Sequence, residues 1–195
     1  MQQWQGITDG PLTEKGILQA KLVSQALSNY KFSTIFSSPL SRAFDTAKII
    51  QKGLSTSYPP EIIINPVFIE LNMGSMEQVS WNVPFQIHTR DTCFPKGGES
   101  LNDVLKRALL SLDLLLYSNN NIKMNDIKEE EEHILLVSHG MFLTELIHAL
   151  CIHYNYQWID LTWSNTGITT IEIKQQQEEE EKIEFKCINN IQHLL

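Results

Sequence analysis

The chain has 195 residues, of which 42% are hydrophobic and 19% are charged, so it can bury a core and is not a wholly disordered chain. Its formal net charge is −8, but eight acidic residues lie in two runs, Glu129 to Glu132 and Glu178 to Glu181, and the other acidic residues equal the 15 basic residues in number. The sequence contains no basic stripe typical of nucleic-acid-binding proteins and no apolar stretch of membrane-spanning length.

The hydrophobic pattern predicts alternating helices and strands. Apolar residues repeat at helical spacing in four segments, at 13–28, from Ser38 onward, at 100–117 and at 141–152. Runs with the composition of strands are 33–38, 61–69, 134–138, 168–173 and 183–188. The run at 134–138 is continuously apolar, which is expected of a strand buried on both faces. The alternation predicts an α/β three-layer sandwich, with helices on both faces of a mostly parallel sheet.

Local signals mark the helix starts and one long loop. Thr13 is the expected N-cap of the first helix and Ser38 that of the second. Ser100 and Asp103 resemble a capping box at the start of the third helix. Residues 70–98 lack a lasting period and predict an irregular loop, a kind of segment that often carries function.

We expect a single domain over residues 1–195, in which 118–133 and 174–182 are polar, low-complexity loops. The N-terminus does not have the pattern of a secretory signal. The cysteines are too few for a disulfide framework, which predicts a reducing, cytoplasmic location. They are Cys93, Cys151 and Cys187.

Arg42 is the first candidate for a binding residue. In open α/β sheets, ligands bind beyond the C-terminal ends of strands, and Arg42 lies in the first helical turn after such an end. A cation is disfavoured at that positive helix end unless something compensates it. An anion shared with the helix amides would do so, and an ion pair with an acid such as Asp45 is the alternative.

His139 and Glu70 are the other candidates. His139 lies where the strand at 134–138 becomes a helix, and Gly140 would let the backbone approach a ligand; a histidine tied to a backbone carbonyl is the alternative. Glu70 closes the run at 61–69, where a carboxyl beside an anion would have a raised pKa and could donate a proton. An ordinary exposed glutamate is the alternative for Glu70.

His148, Cys151 and His153 do not form a complete metal site, and no metal is predicted.

Several short motifs occur in order along the chain. They are Gln5-Gly6, Pro11-Leu12-Thr13-Glu14, Ser37-Ser38-Pro39-Leu40 with Arg42-Ala43, Glu70 with Gly74 and Glu77, Gly98-Glu99-Ser100, Val137-Ser138-His139-Gly140 and Asn165-Thr166. In this order the chain resembles the histidine phosphatase superfamily, also called phosphoglycerate mutase-like. The segment at 95–100, the insertion before residue 134 and the C-terminal segment are most similar to TIGAR-type fructose 2,6-bisphosphatases.

The resemblance implies a phosphatase in which a histidine attacks phosphorus and water then hydrolyses the phosphohistidine. It implies that Arg42 and His139 clamp the phosphoryl group and that Glu70 is the proton donor. Further substrate contacts are implied for Gln5, Gly6, Ser38, Gly140, Arg90 and Lys96, the last two toward a second phosphate or a sugar. The expected ligand is a small phosphorylated metabolite, such as a sugar bisphosphate, without a cofactor, nucleic acid or membrane.

The chain departs from the family at its start. The family's attacking histidine lies in an Arg-His-Gly motif that ends the first, central strand, upstream of the segment matching Gln5-Gly6. Because the chain begins at Met1, we expect this strand to be missing, negligible phosphatase activity, and a gap between the strands at 134–138 and 168–173. Either the full protein begins further upstream, or the chain is an inactive protein that binds a phosphorylated ligand or a partner. A phosphoglycerate-mutase-type phosphotransferase is a further alternative, and the oligomeric state stays open.

Overall fold

The computed structural model describes residues 3–117, 132–159, 161–176 and 179–195. The helices are α1 (Glu14–Ala26), α2 (Ser41–Gly53), α3 (Leu101–Tyr117) and α4 (Gly140–His153). The strands are β1 (Phe32–Ser37), β2 (Ile62–Ile64), β3 (His133–Val137), β4 (Ile168–Gln176) and β5 (Glu179–Asn190). Every predicted helix and strand is therefore present, with shifted boundaries. Within the described residues, no helix combines the length and apolar character needed to cross a bilayer.

β1 is the central strand of a three-stranded parallel sheet in the order β2-β1-β3. Its Ile35 pairs with Ile62 on one side and Leu135 on the other. Since successive side chains of a strand point to opposite faces, Ile35 packs with α1 and α2 while Phe36 packs with α3 and α4. Helices thus cover both faces of the sheet, as predicted for the α/β class.

β4 and β5 form a separate antiparallel pair. Among the described residues, no ladder joins β4 to β3. A cavity of about 780 Å³ lies between them, lined by residues 132–140 and 163–171. The gap expected between these two strands is therefore present. Because its side chains border the cavity, β3 is only partly buried, and the expectation that it is buried on both faces was wrong.

The structure corrects one of the two predicted polar loops, the one at 174–182. β4 and β5 extend through most of the run at 174–182, with only residues 177 and 178 outside the described part. Cross-strand pairs of lysine and glutamate, such as Lys174 with Glu184 at 3.1 Å, favour strand pairing in this polar segment. Of the loop predicted at 118–133, residues 118–131 lie outside the described residues, and His133 begins β3.

The segment at 70–98 is irregular, as predicted, and it packs against the N-terminal segment. The amide of Trp4 donates to the carbonyl of Val79, and the amide of Gln78 donates to that of Trp4. Gly74 has a φ of +53°, and a Cβ there would lie 1.9 Å from the carbonyl oxygen of Pro95. This close approach requires glycine at position 74.

Candidate functional site

Polar residues occupy the end of the cavity that lies beyond β1 and β3. Arg42 follows β1, His139 follows β3, and both line the cavity together with Glu70. These three residues are far apart in the sequence, but the parallel strands end at the same edge of the sheet. The structure therefore brings together the three side chains that the sequence singled out.

Arg42 is held by backbone carbonyls of the N-terminal segment. Its two terminal nitrogens donate to the carbonyl oxygens of Thr8 at 3.0 Å and Gly6 at 2.6 Å. Burial lowers the pKa of Arg42, and the charges of nearby carboxylates oppose this shift. Since a guanidinium has five N–H donors, the bonds to these two carbonyls leave donors that can face an anion in the cavity.

The alternative partner for Arg42, Asp45, pairs instead with Lys48 at 2.6 Å. The carboxylate that serves the start of α2 is Asp9. It accepts from the amide of Ser41 at 2.8 Å and from the hydroxyl of Ser41 at 2.7 Å, and the hydroxyl bond is the main reason that the pKa of Asp9 is lowered. An anion at a helix N-terminus is favourable, so Asp9 offsets part of the unfavourable position of Arg42.

Ser38 does not cap α2, contrary to the prediction. The helix begins at Ser41 with Leu40 at its N-cap, while the Ser38 hydroxyl lies 2.7 Å from Nε2 of His139. Its oxygen also accepts from the amide of Leu40 at 3.3 Å. Ser38 therefore joins the two strand ends and orients the His139 ring.

His139 is a buried, neutral imidazole with 8% of its surface exposed. Burial is the main reason that the pKa of His139 is lowered to about 3, and the positive charges of Arg42 and Arg107 lower it further. A neutral imidazole can donate one hydrogen bond without the cost of burying a charge. When an anion enters beside it, the pKa of His139 will rise and a second charge-assisted contact becomes available.

Glu70 is buried, with 7% exposure, which corrects the alternative of an ordinary exposed glutamate. Burial raises its pKa, against the effect of three backbone amides and Arg42. Two of those amides, of Met141 and Phe142, belong to the first turn of α4 and lie 3.1 Å from its carboxylate oxygens. Glu70 thus links the start of α4 to the cavity, with the raised pKa that a proton donor needs.

The other predicted substrate residues fall into two groups. Gln5 and Gly140 line the cavity, Gly6 contributes its carbonyl to Arg42, and Ser38 holds His139. A Cβ on Gly140 would meet Trp163 only at ordinary contact distance, 3.7 Å, so packing does not require the glycine.

Arg90 and Lys96 are not brought to the cavity. Arg90 forms an ion pair with the buried Glu145 of α4, and its guanidinium lies 5.0 Å from the ring centre of Trp158. Lys96 is exposed and does not line the cavity. Neither residue lies against the phosphoryl site, and their contact with a second phosphate or a sugar stays a prediction.

Glu77 and Arg107 hold the segments that carry the site residues, although the sequence assigned neither of them a specific role. Glu77 accepts from the amides of Gly6, Ile7 and Thr8 at 3.0 to 3.1 Å. Arg107 donates to the carbonyls of the segment that carries Glu70, at 2.7 to 3.1 Å. Their partners lie 37 to 71 positions away in sequence, so only the fold reveals the contacts.

The residues weighed as metal ligands do not assemble. His148 stacks on Trp158 with ring centres 4.1 Å apart and contacts Glu145 at 3.3 Å. Cys151 is fully buried. In the part of the chain that the structure describes, no group of three histidine, cysteine or acidic residues could hold a metal ion.

Comparisons with known proteins agree with this geometry. The sequence model of the histidine phosphatase superfamily (branch 1) matches residues 1–186. The probable phosphoglycerate mutase GpmB of Yersinia pestis (strain Pestoides F) is 34% identical over 156 residues, which are 75% of this chain and 66% of that protein. GpmB of Yersinia pseudotuberculosis (strain YPIII) matches to the same extent. The match thus spans about two thirds of the length of these relatives.

Solved structures with the same fold include phosphatases. Phosphoserine phosphatase from Entamoeba histolytica, in complex with 3-phosphoglyceric acid, has a TM-score of 0.71 at 27% identity, covering 99% of this chain and 91% of that chain. A mycobacterial glucosyl-3-phosphoglycerate phosphatase has a TM-score of 0.75 at 23% identity, covering 96% and 91%. At 23% identity, the similarity to the mycobacterial phosphatase shows only that the two chains share a fold.

Proposed function

Since the chain belongs to the histidine phosphatase superfamily (branch 1), we propose that its cavity binds the phosphoryl group of a small phosphate ester and that the protein acts as a phosphomonoesterase. One observation carries this proposal. Arg42, Glu70 and His139 line one cavity at the C-terminal ends of β1 and β3. A guanidinium and an imidazole can stabilise the charge on a transferring phosphoryl group, and a carboxylic acid can protonate the leaving oxygen.

The proposed roles follow from the state of each side chain. Arg42 binds equatorial oxygens through its remaining donors, because charge-assisted bonds to phosphate are the strong ones. His139 enters as a neutral hydrogen-bond donor, and its pKa rises beside the bound anion, so that it can take up a proton from solvent. Glu70, whose pKa is raised by burial, supplies the proton to the leaving oxygen.

A small sugar bisphosphate of the fructose 2,6-bisphosphate type is the specific substrate we propose. Its support is the resemblance of the segment at 95–100 and of the C-terminal segment to that branch. The relatives described above act by name on other small phosphorylated compounds, so a substrate panel is the appropriate test. The panel should compare the affinities of this chain for fructose 2,6-bisphosphate, 3-phosphoglycerate and phosphoserine, since binding can be measured without turnover.

Inorganic phosphate tests the cradle without requiring turnover. We expect the 195-residue chain to bind phosphate in a calorimetric titration, and Arg42→Ala to weaken binding roughly ten- to a hundredfold, since a charged hydrogen bond contributes about 1.5–3 kcal/mol. Lys96→Ala is the matched control, because this exposed cation lies outside the cavity. Equal loss in both variants would show that phosphate responds to net charge rather than to the cradle.

Binding without turnover is the second candidate, and the histidines favour it. The described residues include all six histidines of the chain, and of these only His139 lies at the polar end of the cavity. With His139 serving as a clamp, no second histidine there can attack phosphorus. We therefore expect negligible release of phosphate by the purified chain, and trapping of a phosphohistidine on it would contradict this expectation.

A phosphotransferase is the third candidate, because the Yersinia relatives are named as phosphoglycerate mutases. Product analysis separates the two activities in any active form of the protein. Free phosphate identifies a phosphatase, whereas an isomerised ester without free phosphate identifies a mutase.

A further inference from the structure

A four-residue turn at 164–167 leads into β4 and lines the cavity. The amide of Gly167 donates to the carbonyl of Ser164 at 3.0 Å, which closes the turn. Trp163, just ahead of it, lies beside Gly140. The turn, which we call the cavity turn, is therefore near the start of α4, where the phosphoryl group is proposed to bind.

Thr166 has an unusual backbone conformation for a β-branched residue. Its φ is +59°, in the left-handed region where the Cβ of an L-residue crowds the following carbonyl. A positive φ at the third position of a turn favours glycine or asparagine. Strained residues of this kind cluster at functional sites and persist only where the surrounding structure holds them. Contacts from outside the cavity turn should therefore fix Thr166 in place.

Two residues of the C-terminal segment make such contacts. The side-chain oxygen of Asn189 accepts from the amide of Ser164 at 2.9 Å, and its nitrogen donates to the Ser164 hydroxyl at 3.3 Å. Nε2 of His193 lies 3.2 Å from the hydroxyl oxygen of Thr166. That hydroxyl donates its only proton to the carbonyl of Asn165 at 2.7 Å, so His193 is the donor to Thr166. The cavity turn is thus held by side chains 25 and 27 positions away.

Asn165 occupies the tip of the cavity turn. It is exposed and lines the cavity, and no residue that the structure describes forms a hydrogen bond with its side chain. A carboxamide offers two N–H donors and an acceptor oxygen. These groups match the hydroxyl, amino or carboxylate groups of an organic phosphate ester, whereas Arg42 and His139 are proposed to bind its phosphoryl oxygens.

We propose, on the basis of the proposed function, that Asn165 contacts the organic part of the bound phosphate ester. Asn189 and His193 are then positioning residues that hold the cavity turn for this contact. The same assignment accounts for the strained threonine. Glycine would adopt the positive φ at position 166 without strain, but it would have no hydroxyl to accept the hydrogen bond from His193.

Two kinds of ligand test the contact of Asn165 by titration calorimetry on the full 195-residue chain. Inorganic phosphate reports on the phosphoryl site alone, while fructose 2,6-bisphosphate, 3-phosphoglycerate and phosphoserine also carry organic groups. We expect Asn165→Ala to weaken binding of the tightest of these esters roughly three- to tenfold, the effect of one neutral hydrogen bond, and to leave phosphate binding unchanged. Asn82→Ala, at an exposed asparagine outside the cavity, is the matched control.

Paired variants separate positioning from a purely structural role. Thr166→Val keeps the branched shape but removes the hydroxyl, whereas Thr166→Ser keeps the hydroxyl. His193→Ala removes the N–H donor, whereas His193→Gln supplies an amide donor in its place. We expect the Val and Ala variants to lose ester affinity as Asn165→Ala does, and the Ser and Gln variants to stay within about twofold of wild type. Urea unfolding of each variant shows that the affinities refer to folded protein.

Three outcomes would overturn this assignment alone, with phosphate binding by the wild-type chain intact. Unchanged ester affinity in Asn165→Ala, or no binding of any of the three esters, would remove the contact. Equal loss of phosphate and ester affinity would place the cavity turn against the phosphoryl group instead. Equal losses in both members of each pair at Thr166 and His193 would show that packing, and not the hydrogen bond, is what matters there. Absence of phosphate binding in the wild-type chain would instead overturn the proposed function, and the contact of Asn165 with it.

Discussion

The loop at residues 6–8 is held between two opposite charges. The Glu77 carboxylate accepts from its amides, while the Arg42 guanidinium donates to the carbonyls of Gly6 and Thr8. Burial alone would raise the pKa of Glu77, but hydrogen bonds from Thr8, Met73 and Ile7 outweigh it and lower the pKa. Glu77 is therefore a positioning residue that acts on the cavity through Arg42.

We expect Glu77→Gln to weaken phosphate binding and to lower the free energy of unfolding by about 1–2 kcal/mol, since the amide group loses acceptor capacity for partly buried N–H groups. Titration calorimetry and urea unfolding measure the two effects. Glu61→Gln, at an exposed carboxylate, is the matched control and should change neither quantity. A variant that loses stability but binds phosphate normally would contradict the positioning role.

His139 makes stability depend on pH. Its pKa is lowered to about 3 in the folded state, mainly by burial, while the unfolded chain has an ordinary value of about 6.5. Below that value the unfolded state binds more protons, so the free energy of unfolding should fall as the pH decreases from about 6.5 toward 3. The contribution of one proton is at most about 1.4 kcal/mol per pH unit.

The difference between wild type and His139→Gln isolates this contribution, because other titrating groups are common to both. We expect the wild-type free energy of unfolding to decrease more steeply with acidification over that window. Parallel curves would show that His139 is already protonated or exposed in the folded chain.

Glu70 acts in the opposite direction, since its raised pKa lowers stability as the pH rises above the ordinary glutamate value.

The sequence was informative about residues next to strand ends. Arg42 and His139 follow apolar runs, so their convergence could be predicted from the rule for parallel sheets. Asp9 and Glu77 could not be given their roles in this way, because their partners lie 32 and about 70 positions away. Arg90 could not be placed either, since its carboxylate partner Glu145 is 55 residues away on α4.

At the scale of elements, the starts of α3 and α2 are capped by residues at different distances along the chain. α3 is preceded by Ser100, whose hydroxyl accepts from the amide of Asp103 at 3.2 Å while Asp103 accepts from the amide of Ser100 at 3.0 Å. This reciprocal pair is local and was predicted. α2 instead receives Asp9 from the N-terminal segment, which is why Ser38 was mistaken for its cap.

We expect Asp103→Ala to lower the free energy of unfolding by about 1 kcal/mol, as is typical of a lost cap interaction. Hydrogen bonds from Ser100, first from its hydroxyl and then from its amide, lower the pKa of Asp103 to about 2. The difference from wild type should therefore shrink as the pH falls from about 3.8 to 2. Urea unfolding at several pH values measures this, with Asp113→Ala, an exposed aspartate on the same helix, as the control.

At the scale of the whole molecule, the strands that the structure describes form two sheets, and no strand pairing among them joins the two. The parallel sheet has β1 at its centre, bonded on both sides and buried from Thr34 to Ser37. The β4-β5 pair contacts the rest through side chains such as Ile183, which is buried in the core beside α3 and α4. Composition and periodicity predicted the elements of both sheets, but periodicity cannot show which strand edges meet.

This division predicts two levels of local stability. Opening the β4-β5 pair breaks packing contacts but no ladder to β3, whereas exposing the amides of β1 requires two ladders and both cores to separate. We therefore expect amides at 168–173 and 183–188 to exchange with a lower opening free energy than those at 32–37. Native-state hydrogen exchange in low concentrations of urea measures both segments in one sample. Identical opening free energies and identical urea dependence would show that the two sheets unfold as one cooperative unit.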